Sequence, residues 1–402
     1  MSLRLLPLLA AFGAFAAPVR AGVLSFDAGP ADGTIFSADG YHVARLENDA
    51  REDHWLVDGS VRVRAPAGTL PPGAVLSADG SKLLHLMAVL DSKGTPVGVA
   101  PAVNGRRIGK SYPDIQQLTL SRSGRNAAYV AKTSRGWAVF SGQGAGPAFP
   151  EPPGVISLTD AATLYFADWQ GAAWLYRNHK PVRAVGGHEV AVSPDLRRVG
   201  VVIRNRASGS AYLELDGARY GPYANVSTPA FSRNSAHWAA HMTHLGSDPG
   251  GYDGLLSDGR PAPGAACSDC SLVVDDAGRA FQDVLRVSIS DRGQMHSFYF
   301  NGKELREGGR PPRLGLLAGG AHFVYPMLTP RGVGVGFDGR MLEYDVPLPL
   351  PDAPVEFDGA AEYHYWSLEG SSLRLVCGTV DGSDPKLTRC AQWAGRVYAP
   401  AP

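Results

Sequence analysis

Long hydrophobic runs are missing beyond the first 21 residues: no later stretch reaches 18 uncharged apolar residues, the minimum for a helix crossing a bilayer core of about 30 Å. A soluble mature chain with no membrane span is expected. Charge of one sign is missing too. Lys+Arg and Asp+Glu both number 38, which speaks against nucleic acid as a partner, because phosphate binding needs a basic excess or patch. Lysine itself is scarce, with seven residues (82, 93, 110, 132, 180, 303, 386) against 31 arginines, and cysteine is limited to four. Two catalytic signatures are absent: the Gly-x-Ser-x-Gly elbow and the zinc-protease His-Glu-x-x-His, since His188-Glu189 runs on into Val190-Ala191-Val192. What the chain does have is 44% hydrophobic residues, enough for a packed core and against wholesale disorder. It also has 49 Gly and 31 Pro among 402 residues. Helix breakers this frequent and this evenly spread predict many short strands joined by tight turns.

The first 21 residues read as an address. Met1-Ser2-Leu3-Arg4 gives a positive start, Leu5 to Ala17 is uncharged and largely apolar, and Val19-Arg20-Ala21 has the small-x-small form of a cleavage site. No Cys follows to carry a lipid anchor. The expected organisation is a signal peptide over 1–21 and one domain over 22–402, in a periplasmic or secreted protein. Arg in preference to Lys, with abundant Ala, Gly and Pro, fits a GC-rich bacterial genome.

The remainder repeats. Nine units each hold an apolar strand, a polar turn, a second apolar strand and a turn-forming pair, as in Asn126–Lys132 with Trp137–Gln143. The turn markers are Gly59, Gly105, Gly142, Asn178, Gly217, Gly259, Gly302, Gly339 and Gly378, and seven of the nine follow Asp, Asn or Ser. Such pairs accept the positive φ of a two-residue hairpin. Their spacing averages about 40 residues, the length of a four-stranded propeller blade. A second marker passes the chain into each unit: Ser37-Ala-Asp-Gly40, Ser77-Ala-Asp-Gly80, Ser121-Arg-Ser-Gly124 and Ser193-Pro-Asp-Leu196, with weaker copies at Ser157 and Ser232. Its Ser and Asp oxygens suit a tight turn that accepts backbone N–H groups.

A Ser-Pro/Ala-Asp-Gly turn followed by an apolar strand resembles the WD-repeat-like units of the TolB-type β-propellers of bacterial envelopes, over roughly residues 30 to 380. The resemblance implies a propeller; TolB's additional N-terminal α/β domain has no counterpart, because the repeats begin almost at the cleavage site. The predicted fold is a single all-β propeller of four-stranded blades of about 40 residues, with nine units counted. A ring of eight or nine blades is expected, seven being possible, and an open solenoid is the runner-up.

Candidate chemistry is thin. His237, His241 and His244 with Asp248 and Asp253 offer zinc-ligand types, but on a strand 237 and 241 share a face that 244 does not. They are retained as candidate ligand-binding residues in a unit with long irregular stretches, 246–254 and 258–271, and as surface or turn histidines otherwise. Asp275-Asp276 falls at the Ser-x-Asp-Gly position and reads as turn chemistry. Gly332-Val-Gly334-Val-Gly336 leads to no helix, so it reads as a strand of small residues rather than a dinucleotide loop. Trp55, Trp137, Trp174, Tyr212 and Tyr299 fall at strand positions and read as inter-blade packing. Export and an even count predict two structural disulfides. Cys377–Cys390 would flank the last hairpin turn, and Cys267–Cys270 would pair locally; a redox or zinc role for this Cys-x-x-Cys lacks a second pair. No catalytic residue, metal or cofactor is expected. The functional expectation is an exported, non-enzymatic, monomeric propeller that binds a protein or cell-envelope component through blade loops. The alternative is a secreted propeller enzyme or glycan binder with a site in the central funnel, which requires convergent carboxylates or histidines from several units.

Overall fold

The turn pairs adopt the conformation their residues favour. Asp58-Gly59, Asn104-Gly105, Asp216-Gly217, Asp258-Gly259 and Asn301-Gly302 all place two successive residues at positive φ, and Asn178 does so with His179, as a two-residue type I′ hairpin demands. Each joins the third strand of a sheet to the fourth. The Ser-x-Asp-Gly marker joins the first strand to the second. Ser37 Oγ donates to Asp39 Oδ1 at 2.6 Å and accepts the His42 N–H at 2.9 Å. The pattern recurs at Ser77, Ser193 and Ser232. These serines are almost wholly buried, and the turn itself satisfies their hydroxyls. In the seventh unit Asp275 occupies the serine position and its Oδ1 accepts the N–H groups of Ala277 and Arg279, so Asp275 serves the turn, while Asp276 Oδ1 accepts the Asn234 N–H of blade 6.

The computed structural model describes residues 23–398 apart from 31–32, 170–171, 186–188, 206, 248–249, 269, 288–293, 309–316, 320–321, 330–331, 338–339, 345–349, 351–354, 359–360 and 382. The expected signal peptide, the Gly339 marker and Asp248 lie outside them. Among the described residues, eight four-stranded antiparallel sheets and one sheet whose inner strand is split in two make nine blades. Blades 1 to 8 span 34–66, 74–107, 115–149, 155–185, 190–223, 225–262, 270–308 and 317–344. Blade 9 takes three strands from 356–379 and its outermost strand from the other end of the chain: Val23–Pro30 pairs with Ser372–Thr379. The fold is therefore a β-propeller closed by its first strand, not an open solenoid. Among the described residues no helix is long and apolar enough to cross a membrane.

Ring closure corrects one marker. Gly378 begins no hairpin, because the fourth strand of its blade arrives from the N-terminal end; it pairs with Val23, and a Cβ there would stand 2.4 Å from the Tyr363 ring. The core lies between blades, where both faces of each sheet are covered. One cluster joins Val130, Val139 and Phe149 of blade 3 to Tyr165 and Tyr176 of blade 4. Another joins Leu164, Phe166 and Leu175 of blade 4 to Leu196 and Val201 of blade 5. Trp55 is fully buried and Trp137 and Tyr299 nearly so, in keeping with a packing role. An unforeseen helix, Arg389–Val397, follows blade 9, capped by Thr388 Oγ1 accepting the Ala391 N–H at 3.1 Å. Cys390 lies on this helix and bonds Cys377, so that disulfide staples a helix to a strand instead of flanking a hairpin turn. In the chain-entropy model a loop of this length is worth about 3 kcal/mol.

Candidate functional site

The four described candidate residues of blade 6, His237, His241, His244 and Asp253, do not meet at one point. His237 belongs to the repeat: its Nδ1 lies 2.7 Å from Asp258 Oδ2, while Asp258 Oδ1 accepts the Trp238 N–H at 3.0 Å. His42, Asp58 and Val43 of blade 1 make the same contacts at the same distances. His244 is exposed and holds Asp253 at 2.9 Å. Burial works against the Asp253 carboxylate, but the Ser247 hydroxyl and the His244 N–H and ring hold its pKa below the usual range. His241 is buried and stacks on Tyr252 at 5.1 Å. Its Nδ1 faces Cys270 Sγ at 3.8 Å, its Nε2 has no partner, and burial pulls its pKa down to about 4. Cys270 is bonded to Cys267.

At the axis, side chains from well-separated blades converge. Arg233, in the first turn of blade 6, forms an ion pair with Glu356 on the innermost strand of blade 9. Arg122, at the matching turn position of blade 3, acts on the same carboxylate. Burial is the larger influence and raises the Glu356 pKa despite both guanidinium groups. Blades 3, 6 and 9 are evenly spaced around nine, so these three residues approach one another across the central channel. Beside them Tyr41 Oη donates to Asp358, and both ring nitrogens of His364 are occupied, Nδ1 by Asp358 at 3.0 Å and Nε2 by the Asp39 carbonyl at 2.9 Å. That ring is a strut between blades 9 and 1.

A third place emerges from a broken strand. The outer strand of blade 2 is only Arg106–Arg107, against six residues in each of blades 3, 4 and 5. The chain leaves the sheet at Ile108 and returns when Tyr112 pairs with Val99. This detour opens a groove of about 960 Å³ against blade 3, at the upper end of ordinary ligand sites. Its apolar wall is built by strand register: Tyr129 lies opposite Phe140, the rings stack at 5.2 Å, and Tyr112 packs 5.0 Å from Phe140. Gly109 rests against the Tyr129 hydroxyl, where a Cβ would stand at 2.4 Å. Burial, with the Tyr112 hydroxyl beside it, raises the Tyr129 pKa. Lys82, Lys110, Arg125 and Lys132 also line the groove, and none of the described lining residues carries a carboxylate. Three of the chain's seven lysines thus share one groove. Their clustering between residues 82 and 132 in a lysine-poor chain was the available signal.

No family model matches the chain, and no curated protein matches it in sequence. Among solved structures it is similar to the dihydro-heme d1 dehydrogenase NirN in complex with DHE, at 16% identity over 92% of this chain and 73% of that one, with a TM-score of 0.37. It is similar to TolB from Acinetobacter baumannii at 12% identity, over 65% of this chain and 77% of that one, TM-score 0.29. The β-propeller domain of the Trilobed protease from Pyrococcus furiosus matches at 12% identity over 90% of this chain and all of that one, TM-score 0.31. At such identities and TM-scores these likenesses decide nothing about family or role; the propeller rests on the chain's own sheet pairing, and the expected TolB-type family is not shown.

Proposed function

We propose that the chain is an exported, non-enzymatic propeller that holds an acidic, extended peptide segment of a protein partner in the groove between blades 2 and 3. The composition of the groove carries the reading: four cations and three aromatic rings with no carboxylate among the described lining residues. Cationic side chains of this kind are donors only and suit carboxylates. The shape favours a linear ligand. Lining residues run from Gly124 to Ser134, alongside the seven-residue strand Ala127–Thr133, about 23 Å at the strand rise of about 3.3 Å per residue. Two disulfides support a location outside the reducing cytoplasm.

Fluorescence anisotropy with a labelled acidic heptapeptide containing two leucines, and with its lysine-substituted counterpart, tests the reading. Only the acidic peptide should bind, more weakly as salt rises. The double variant Lys110→Glu/Lys132→Glu should lose at least about tenfold in affinity, about 1.4 kcal/mol. His244→Ala should bind as wild type; a loss there instead would move the contact to the blade 6 loop. Equal binding of both peptides, or cleavage of either, overturns the proposal.

A further inference from the structure

We propose that Cys267, Cys270 and His241 form a three-ligand site for a soft metal ion, Zn²⁺ or Cu⁺, when the disulfide between the two cysteines is reduced. One ligand atom from each of the three lies within 4.8 Å of the others. His241 Nδ1 stands 3.8 Å from Cys270 Sγ; bond lengths of about 2.1 and 2.3 Å at a tetrahedral angle require about 3.6 Å between nitrogen and sulfur. Thiolate and imidazole are the donors that soft ions select, and Cys-x-x-Cys is a common ligand spacing.

The histidine is the second, independent observation. Among the described residues, the other buried histidines, His85 and His364, have both nitrogens occupied. His85 of blade 2 meets the Leu86 carbonyl at 2.9 Å and the Gly105 N–H at 3.1 Å, and His364 of blade 9 meets Asp358 and Asp39. His241 is 97% buried, yet its Nε2 has no partner and its Nδ1 has only sulfur. A buried polar atom left without a partner costs about 1–3 kcal/mol, so packing alone gives no reason for a histidine here. Tyr252 holds the ring from one face, its backbone is paired with Cys267 in both directions, and Asp253 N–H donates to the Met242 carbonyl, so the His241 and Cys267 segments are tied together, while Cys270 opens the first strand of blade 7 opposite Val284. Cys270 is only half-buried, which leaves the sulfurs a route to solvent.

The chemistry balances. A phosphine breaks the Cys267–Cys270 bond by giving two electrons; it takes the oxygen of one water to become the phosphine oxide, and the two protons of that water go to the two thiols. A dithiol does the same in exchange for its own disulfide. Metal binding then sends both thiol protons to solvent and uses a lone pair of the His241 ring. Three protein ligands leave a fourth position of a tetrahedral ion open.

The full-length protein, reduced with a water-soluble phosphine and desalted without oxygen, tests this directly. Cys377 and Cys390 are fully buried, so a count of two free thiols identifies the reduced Cys267 pair. Titration with Zn²⁺ against a chromophoric chelator, and with Cu⁺ in a parallel arm, should show one tight equivalent of at least one ion, absent from oxidised protein and from Cys267→Ser/Cys270→Ser. His241→Ala should weaken binding at least tenfold, and His241→Asn serves if that variant does not fold. Co²⁺ added to reduced protein should give thiolate charge-transfer absorption. Reduced wild type that binds no better than the double serine variant, or His241 variants that bind as wild type, overturn the proposal. Neither outcome touches the groove of blades 2 and 3.

Discussion

At the scale of single residues, the side chain of the turn Asx does as much as its backbone. The Oδ1 of Asp58, Asn104, Asn178, Asp258 and Asn301 accepts the N–H of Val43, Leu83, Thr163, Trp238 and Ala280 respectively. Asn104 also donates to the Ser81 carbonyl. Asn104→Ala should therefore cost about 1–3 kcal/mol for the stranded backbone groups, with a further cost for a Cβ residue without such bonds at φ 48°. Asn104→Gly, which relieves only the φ, should cost less; urea midpoints measure both. The histidines set a pH dependence of two signs. Burial lowers the pKa of His85, His179 and His241 below 6.5, so the unfolded chain binds protons more readily and stability falls as pH drops through 6.5. Burial also acts to lower His42, but Asp58 outweighs it and the folded value is raised. Its contribution is full below 6.5 and is lost as pH rises through that raised value. Denaturant titrations should show wild type gaining stability from about pH 5 to 6.5. The gap between wild type and His42→Asn should narrow above that range.

At the scale of elements, local chemistry was legible and adjacency was not. Asp-Gly and Asn-Gly announce their own φ angles, and Ser-x-Asp-Gly closes its hydrogen bonds within six residues, so both markers can be read from neighbouring letters. Gly378 was misread because its strand partner, Val23, lies at the other end of the sequence. The helix Arg389–Val397 was overlooked because it departs from the repeat; its signals were Thr388 as cap and the helix formers around Gln392. The groove was invisible for a different reason. Lys82 and Lys132 are fifty positions apart and share a surface only after two blades stack and Ile108 to Ser111 leave the sheet. Spacing compares the blade 6 histidines only with one another, whereas His241 faces a cysteine 29 residues on.

At the scale of the whole molecule, neighbouring blades are laced at their turns. Trp366 Nε1 donates to the Gly40 carbonyl at 2.7 Å, Asn234 N–H to Asp276 at 2.7 Å, and Ser123 to Asp160 at 2.5 Å. Arg233 and Glu356 add a tie across the axis. The weak point is then the seam of blade 9. Deleting residues 23–30 removes every backbone bond on one edge of Ser372–Thr379 and exposes an unpaired strand, which invites edge-to-edge pairing. Light scattering should find dimers or larger species, and the unfolding transition should broaden; a monomer with an unchanged transition would contradict the seam's importance. The same seam imposes an order in time. Residues 23–30 are synthesised some 340 residues before their partner, 372–379. The ring therefore stays unsealed through almost the whole of synthesis, and whatever holds those eight residues aside, a chaperone or a fused tag, holds the entire molecule open.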